Sequence, residues 1–263
     1  MGSNGVSIII PTMNSARSLE DLLKSINSKS LSEIIIVDSM SKDDTVEIAN
    51  DYKCKILEID ANRSRARNIG AVNAQFDILL FLDSDMIIED KLLSECIEMS
   101  ENYDALIFRE LSTGSGIIAK ERRFQRLGYF HSMYLESPRC LRKTIFSALG
   151  GYDEDMEGFE DLDLTSRIVE KGYKIGWASS VIRHNEENVG IADYVSKRDY
   201  YFRFRAKFKL KNGRYYSEVF SIRTRIATTI NSVKEYGVIR SSLLLPGFLL
   251  LLLIDSTLLF RRR

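Results

Sequence analysis

Through the first third of the chain, short apolar runs alternate with stretches whose apolar positions recur at helical spacing. Val6–Ile10 is rich in β-branched residues, which predicts a buried strand. Within Ser18–Ile26 the apolar residues Leu19, Leu22, Leu23 and Ile26 share one helix face. Glu33–Val37 repeats the buried-strand pattern and closes at Asp38. Thr45–Tyr52 then reads as helix, Lys55–Ile59 as strand, Ser64–Ala74 as helix, and Ile78–Leu82 as a strand closing at Asp83. A β-α-β-α-β-α-β order implies a parallel sheet covered by helices through right-handed crossovers. Ligands of such sheets sit beyond the carboxyl ends of the strands. Pro11-Thr12, Asp38 and Asp83-Ser84-Asp85 all fall at those ends, so the pattern predicts a site there.

Beyond Asp85 the pattern is mixed. Lys91–Met99 reads as helix, Ala105–Phe108 as strand, and Ile117–Tyr129 as a basic amphipathic stretch, with His131 beside it read as structural. Leu141–Phe146 leads into a turn at Gly150-Gly151-Tyr152-Asp153. Leu162–Lys171 is helical, Gly172–Ala178 a short strand, and Asp193–Lys211 a helix crowded with Tyr, Phe, Arg and Lys. The expected division is a body over residues 1–192 and a tail over 193–263.

Composition changes this picture in one respect. With 37 basic and 37 acidic residues the chain is formally neutral, which argues against a general nucleic-acid binder. The charges are nevertheless segregated: 197–263 holds 15 Lys/Arg against 4 Asp/Glu, leaving 22 basic and 33 acidic residues in 1–196. An acidic body with a basic tail points to two partners, one of them an anionic surface. Cys54, Cys96 and Cys140 lack metal-like spacing and read as free thiols of a reducing compartment. Val6–Ile10, broken at Pro11, is too short for a signal peptide.

Three clusters carry chemistry. Asp83-Ser84-Asp85 places two carboxylates at a strand end, where they can share a divalent cation and a ribose. Glu160, Asp161 and Asp163 crowd one helix start. Capping and the helix dipole account for one or two acids there, and mutual repulsion should raise at least one pKa. Arg63, Arg65 and Arg67 open another helix against its dipole, in a position to fork a phosphate. His184 follows a strand-like run and becomes a candidate only beside a metal–diphosphate site.

Taken in order, these motifs resemble the family 2 glycosyltransferases of the GT-A fold. The resemblance rests on Pro11-Thr12-Met13-Asn14 after the first strand, the acidic turn at Asp38, and Ala66-Arg67-Asn68-Ile69-Gly70. Asp83-Ser84-Asp85, the Gly150-Gly151-Tyr152-Asp153 turn and Glu160-Asp161 complete it, and it covers residues 5–190. It implies an α/β fold with a Rossmann-like mixed sheet and a nucleotide-diphospho-sugar donor held by Pro11, Thr12, Asp38, Arg63, Arg67, Asp83, Ser84 and Glu160. It further implies a Mg²⁺ or Mn²⁺ ion on Asp85, with His184 approaching the metal or the diphosphate, and Asp161 as the base of an inverting transfer. Met13 stands where an aromatic often stacks on the base, and Ser39-Met40 replaces the usual Asp-Gly.

The tail adds an expected membrane partner. Tyr194–Lys211 interleaves aromatic and basic residues, the composition of an interfacial helix on anionic lipid. Leu243–Phe260 is apolar save for Asp255, Ser256 and Thr257, and Arg261–Arg263 follow. A full span would put those arginines outside, against the positive-inside rule, whereas a re-entrant or interfacial segment would not. The resulting expectation is a lipid-linked (polyprenyl diphosphate) glycan acceptor at the cytoplasmic face of the cell membrane, with self-association left open. Polyprenyl-phosphate sugar synthesis is the alternative within the family. Outside it stand a sugar nucleotidyltransferase, which would want a glycine-rich loop after the first strand, and a non-catalytic membrane-binding module.

Overall fold

The computed structural model describes residues 5–27, 32–129, 132, 134–186 and 189–238. His131 and the apolar segment 243–260 lie outside the described residues. Strand β1 (Val6–Thr12) alternates its side chains between two buried faces, and that alternation organises the core. Ile8 and Ile10 pack with helices α1 (Ala16–Ser25) and α4 (Leu92–Met99) in one apolar cluster. Ile9 points the other way, into a cluster with Ala66 and Ala71 of α3 (Arg63–Val72) and Leu164 and Ile168 of α7 (Glu160–Glu170). Gly70 permits that second packing, because a Cβ there would lie 2.4 Å from Ile9 Cγ2.

Strands β2 (Ser32–Asp38), β3 (Lys55–Glu58) and β4 (Ile78–Phe81) join β1 in parallel register, with α2 (Thr45–Asp51) between β2 and β3. Thr12 lies opposite Asp38 at the shared carboxyl edge. These four strands pair in parallel, as their order in the sequence predicts, and the rest of the sheet is mixed. β7 (Cys140–Arg142) runs antiparallel to both β4 and β6 (Ala105–Thr113), and the eight strands order as β3-β2-β1-β4-β7-β6-β8-β5.

Two strands are longer than their apolar runs. β6 continues from Phe108 to Thr113, and β8 spans Ile175–Asn185. In both, the extra residues alternate between buried and more exposed positions, so a search for continuous apolar runs stops short. The three-residue β5 (Met86–Ile88) is too brief to show any period.

Packing divides the described chain into one unit of 1–109 with 137–183 and another of 110–136 with 184–263. Residues 110–136 thus group with the C-terminal part, where the sequence suggested a single boundary at 192/193. The cause is α5 (Ile117–Tyr129), which packs along α10 (Ile222–Tyr236) within the second unit. Gly128 makes that seam close: an added Cβ would meet Thr228 O at 2.1 Å and Ser232 Oγ at 2.4 Å. Gly128→Ala should therefore cost about 1–3 kcal/mol through overpacking. A lowered midpoint in thermal unfolding checks this, and an unchanged midpoint refutes the seam. The unit also holds α8 (Ile191–Lys211) and α9 (Gly213–Val219).

Candidate functional site

The site is built on three helix and strand ends of the first unit. α3 is capped by Asn62, whose side chain accepts from Arg65 N at 2.9 Å, and this sends Arg67 inward from the next turn. The Arg67 side chain is wholly buried. Its guanidinium donates to Asp83 Oδ1 at 2.6 Å, to Asp161 Oδ1 at 3.0 Å and to Glu160 Oε1 at 3.2 Å. One arginine thus joins the strand-end acid of β4 to both acids at the start of α7. A second guanidinium closes the ring, with Arg139 within 3.6 Å of Asp83 Oδ2 and 3.5 Å of Asp161 Oδ2. Arg63 approaches Glu160 at 3.6 Å from the exposed side.

Beneath Arg67 lies the ring of Tyr152, 5.1 Å from the guanidinium carbon and packed against Phe81 and Phe146. The turn that presents Tyr152 needs left-handed backbone at Gly150 and Gly151. Asn68 clamps it by accepting from Tyr152 N at 2.8 Å and donating to Tyr152 O at 2.9 Å. The run Ala66-Arg67-Asn68-Ile69-Gly70 therefore has three separate duties: Arg67 gathers the acids, Asn68 holds the turn, and Gly70 lets the helix settle on β1.

Electrostatics follow from this packing. Burial works against the Arg67 charge, but Asp161 and Asp83 outweigh it and hold the guanidinium protonated beyond the ordinary arginine range. Burial pushes the Glu160 carboxyl up, and the Asp161 charge adds to the rise against the pull of Arg67 and Arg63. Burial also raises the Tyr152 phenol, so it stays neutral. The acids crowded at the start of α7 divide their work: Asp163 is buried and pairs with Arg167 at 2.9 Å, leaving Glu160 and Asp161 to the ring.

Glu160 gives a pH test. Its folded pKa lies above its unfolded one, so the fold binds more protons, and this group's contribution to stability is present at low pH and lost as pH rises. Glu160→Gln lacks that contribution. The melting-temperature gap, wild type minus variant, should widen on acidification from about pH 7.5 to about pH 5. A gap that narrows would place the raised carboxyl elsewhere.

Thr12 and Asp38 also meet, but through each other. Thr12 Oγ1 donates to Asp38 Oδ1 at 2.8 Å, Ser41 Oγ donates to the same oxygen at 2.6 Å, and Ser41 N to Oδ2 at 2.8 Å. Both side chains are buried, so they shape the loops after β1 and β2. Asn14 and Met40, at the tips of those loops, adopt φ of 50° and 56°. Met13 and Met40 are 67% and 57% exposed, which leaves two flexible apolar side chains beside the strand ends. Ser84 Oγ ties the end of β4 to this region through Ser15 Oγ at 3.0 Å. Pro11 pairs with Val37 at the same edge.

Among the described residues, no three His, Cys, Asp or Glu side chains gather into a metal cage. The oxygen donors still suit a hard cation that takes one or two carboxylates and completes its shell with substrate phosphates and water. Asp85 is half-buried at the strand end, whereas both Asp83 oxygens face guanidinium groups. His184 belongs to the second unit, where its Nε2 is 2.7 Å from Glu110 Oε2, and Arg126 holds that same oxygen at 2.7 Å.

Sequence reasoning missed Arg139, Asn68 and Tyr152. Asn68 stands in the helix motif and Tyr152 in the glycine turn, but nothing local shows that the two meet across 84 residues of chain. Arg139 carries no local signal. It reaches Asp83 only because β7 runs back alongside β4, where Phe81 N donates to Arg139 O at 2.8 Å.

A family model described as glycosyl transferase family 2 matches residues 7–148, more than half of the chain. The O-antigen chain rhamnosyltransferase RfbN of Salmonella typhimurium is 27% identical over 207 residues, 68% of this chain and 66% of that protein. The chain thus spans just under two thirds of that relative. Among solved structures, the mannosyltransferase PcManGT of Pyrobaculum calidifontis with GDP-Man and Mn²⁺ superposes at a TM-score of 0.61. The match covers 97% of this chain and 84% of that one at 17% identity. Staphylococcus aureus TarS 1–349 with UDP-GlcNAc gives a TM-score of 0.56 at 18% identity, covering 88% and 80% of the two chains. These likenesses show the fold, a GT-A-like mixed α/β sheet.

Proposed function

The chain belongs to glycosyl transferase family 2, and from that premise we propose that it moves a sugar, with inversion, from a nucleotide-diphosphate donor to a hydroxyl of a lipid-linked saccharide. The observation that carries this reading is the ring around Arg67, which brings Asp83 and Asp161 together at the carboxyl edge of the sheet. In this arrangement Asp83 faces the donor ribose and Asp161 the acceptor. Asp161 takes the proton of the attacking hydroxyl, the acceptor oxygen forms its bond to the sugar carbon, and the bond from that carbon to the diphosphate breaks. The nucleoside diphosphate leaves with the bonding electrons.

Arg67 and Arg139 fix the Asp161 carboxylate from the protein side, so its remaining lone pairs point where the acceptor enters. Glu160 is only 3% exposed and holds Arg67 and Arg63. Its place is behind the reaction. Thr12, Asp38 and Ser41 set the loop that receives the base, with Pro11 and Ser84 beside it. When bound, Mg²⁺ or Mn²⁺ on Asp85 would supply charge to the departing diphosphate. The nucleotide sugars and Mn²⁺ in the neighbouring structures support this donor and cofactor class.

A saccharide acceptor draws support from the activity named for the Salmonella relative. Its lipid anchor, and work at the cytoplasmic face of a membrane, rest on the basic and apolar composition of 197–263. Among the described residues no helix is long and apolar enough to cross a membrane, and 243–260 lies outside them. An assay of UDP-, GDP- and dTDP-sugars with Mn²⁺ or Mg²⁺, with and without polyprenyl-diphosphate-linked saccharide, tests the reading. One donor consumed with metal and lipid acceptor is the expected result. Transfer to bare polyprenyl phosphate would replace the acceptor, and turnover of nucleoside triphosphate with sugar phosphate would replace the reaction.

A further inference from the structure

Helix α10 is built inside out. Its inner face, against α5, carries Thr228 and the buried Ser232, and it closes with Phe124 and Tyr236 in edge contact at 5.9 Å. Its isoleucines lie on another face. Ile222, Ile226 and Ile230 are 76%, 56% and 49% exposed and recur every fourth residue, so they form one stripe about two turns long. A helix facing water on that side would place its apolar residues inward. Exposed Arg223, Arg225 and Lys234 accompany the stripe, with Glu235 the lone acid of the helix.

α8, which the sequence offered as the interfacial helix, uses several of its cations internally. Arg205 sits 4.5 Å from the Phe220 ring centre and donates to the Tyr216 hydroxyl at 2.8 Å, while Arg198 lies over Tyr194 and Phe202. Those aromatics and cations hold α8 to itself and to α9. α8 does expose Leu210, at 88%, and Ile191, at 48%, but these stand nineteen residues apart, whereas α10 lines up three isoleucines on one face, and Val238, 73% exposed, follows it.

We propose that α10 lies on an anionic bilayer surface, with Ile222, Ile226 and Ile230 among the acyl chains and Arg223, Arg225 and Lys234 at the lipid phosphates. Charge complementarity selects this occupant over a second copy seated face to face. Residues 197–263 carry 15 basic against 4 acidic groups, and a second copy would bring the same positive charge to the same face. The inference deepens the membrane placement given above and rests on it, but it assigns the lipid contact to a described helix rather than to 243–260.

The test uses the full chain in a Cys54→Ser background, because Cys96 and Cys140 are buried. An environment-sensitive fluorophore is placed singly at Ile226→Cys or Ile230→Cys, and, on the side turned away from the stripe, at Asn231→Cys or Glu235→Cys. Vesicles of phosphatidylcholine with phosphatidylglycerol should shift the first two labels to the blue and leave the other two unchanged. Pure phosphatidylcholine should shift none. Replacing all three isoleucines by serine should weaken sedimentation with the anionic vesicles about tenfold or more, since binding scales with buried apolar area. Circular dichroism and donor hydrolysis without lipid should stay unchanged, these residues being exposed. Labels at 226 and 230 already shielded in buffer would show that the chain's own apolar segment or a second copy covers the stripe. Vesicle binding with no shift at either would place the contact elsewhere while leaving the membrane reading intact. Either result overturns the proposal.

Discussion

Asp161→Asn should lower sugar transfer by about 10²–10⁴-fold, the range that general-base catalysis contributes, while donor affinity stays near wild type. The amide matches the carboxylate in size and keeps an oxygen for Arg67, which donates to Asp161 Oδ1 at 3.0 Å, so only the longer contact to Arg139 at 3.5 Å is given up. What is lost is the ability to take a proton. Glu160→Gln supplies the contrast. That side chain is 3% exposed and faces Arg67 and Arg63, so its replacement should cost far less transfer than the loss at Asp161. Measured kcat on a saturating donor, beside donor binding by calorimetry, separates the two. If Asp161→Asn transfers near the wild-type rate with binding intact, the base is another group.

Arg67→Met should unsettle the whole unit. The guanidinium is buried and meets three carboxylates, of which Glu160 is itself buried. Removing one partner of a buried ion cluster leaves uncompensated charge and typically costs about 3–5 kcal/mol. In a chain of this size that corresponds to a fall in melting temperature on the order of 10 °C. Arg67→Lys refines the result. An ammonium keeps the charge but cannot fork, so it cannot hold Asp83 on one nitrogen and Asp161 on the other. Lysine should recover part of the stability and little of the activity. Full recovery of both would reduce Arg67 to a counter-charge.

Much of the first unit is legible in sequence because its strands are buried on both sides. Ile34–Val37 and Ile78–Leu82 can be read as uninterrupted apolar runs, and Asp38 and Asp83, which follow them, mark the carboxyl edge. Strands with one wet face are harder. β6 and β8 alternate polar and apolar residues past their apolar starts, and their far halves look like loop. The site divides in the same way. Asp83, Arg67 and Asp161 belong to motifs with their own spacing, whereas Arg139 enters through an antiparallel neighbour that no local pattern announces. On α10 the four-residue recurrence of isoleucine is plain, but which face α5 would take depends on Gly128, a hundred residues upstream in effect and invisible to periodicity.

The bonds that Arg67 makes bridge 16, 93 and 94 residues of chain. Contacts of such sequence separation form only after long loops have closed, so they come late and slowly in folding. No fragment that ends before Glu160 can contain the assembled centre, and a partly collapsed chain has the acids without their shared cation. Recovery of catalysis after dilution from denaturant is therefore a clock for the last long-range step of folding, whereas recovery of helical signal reports the local steps before it.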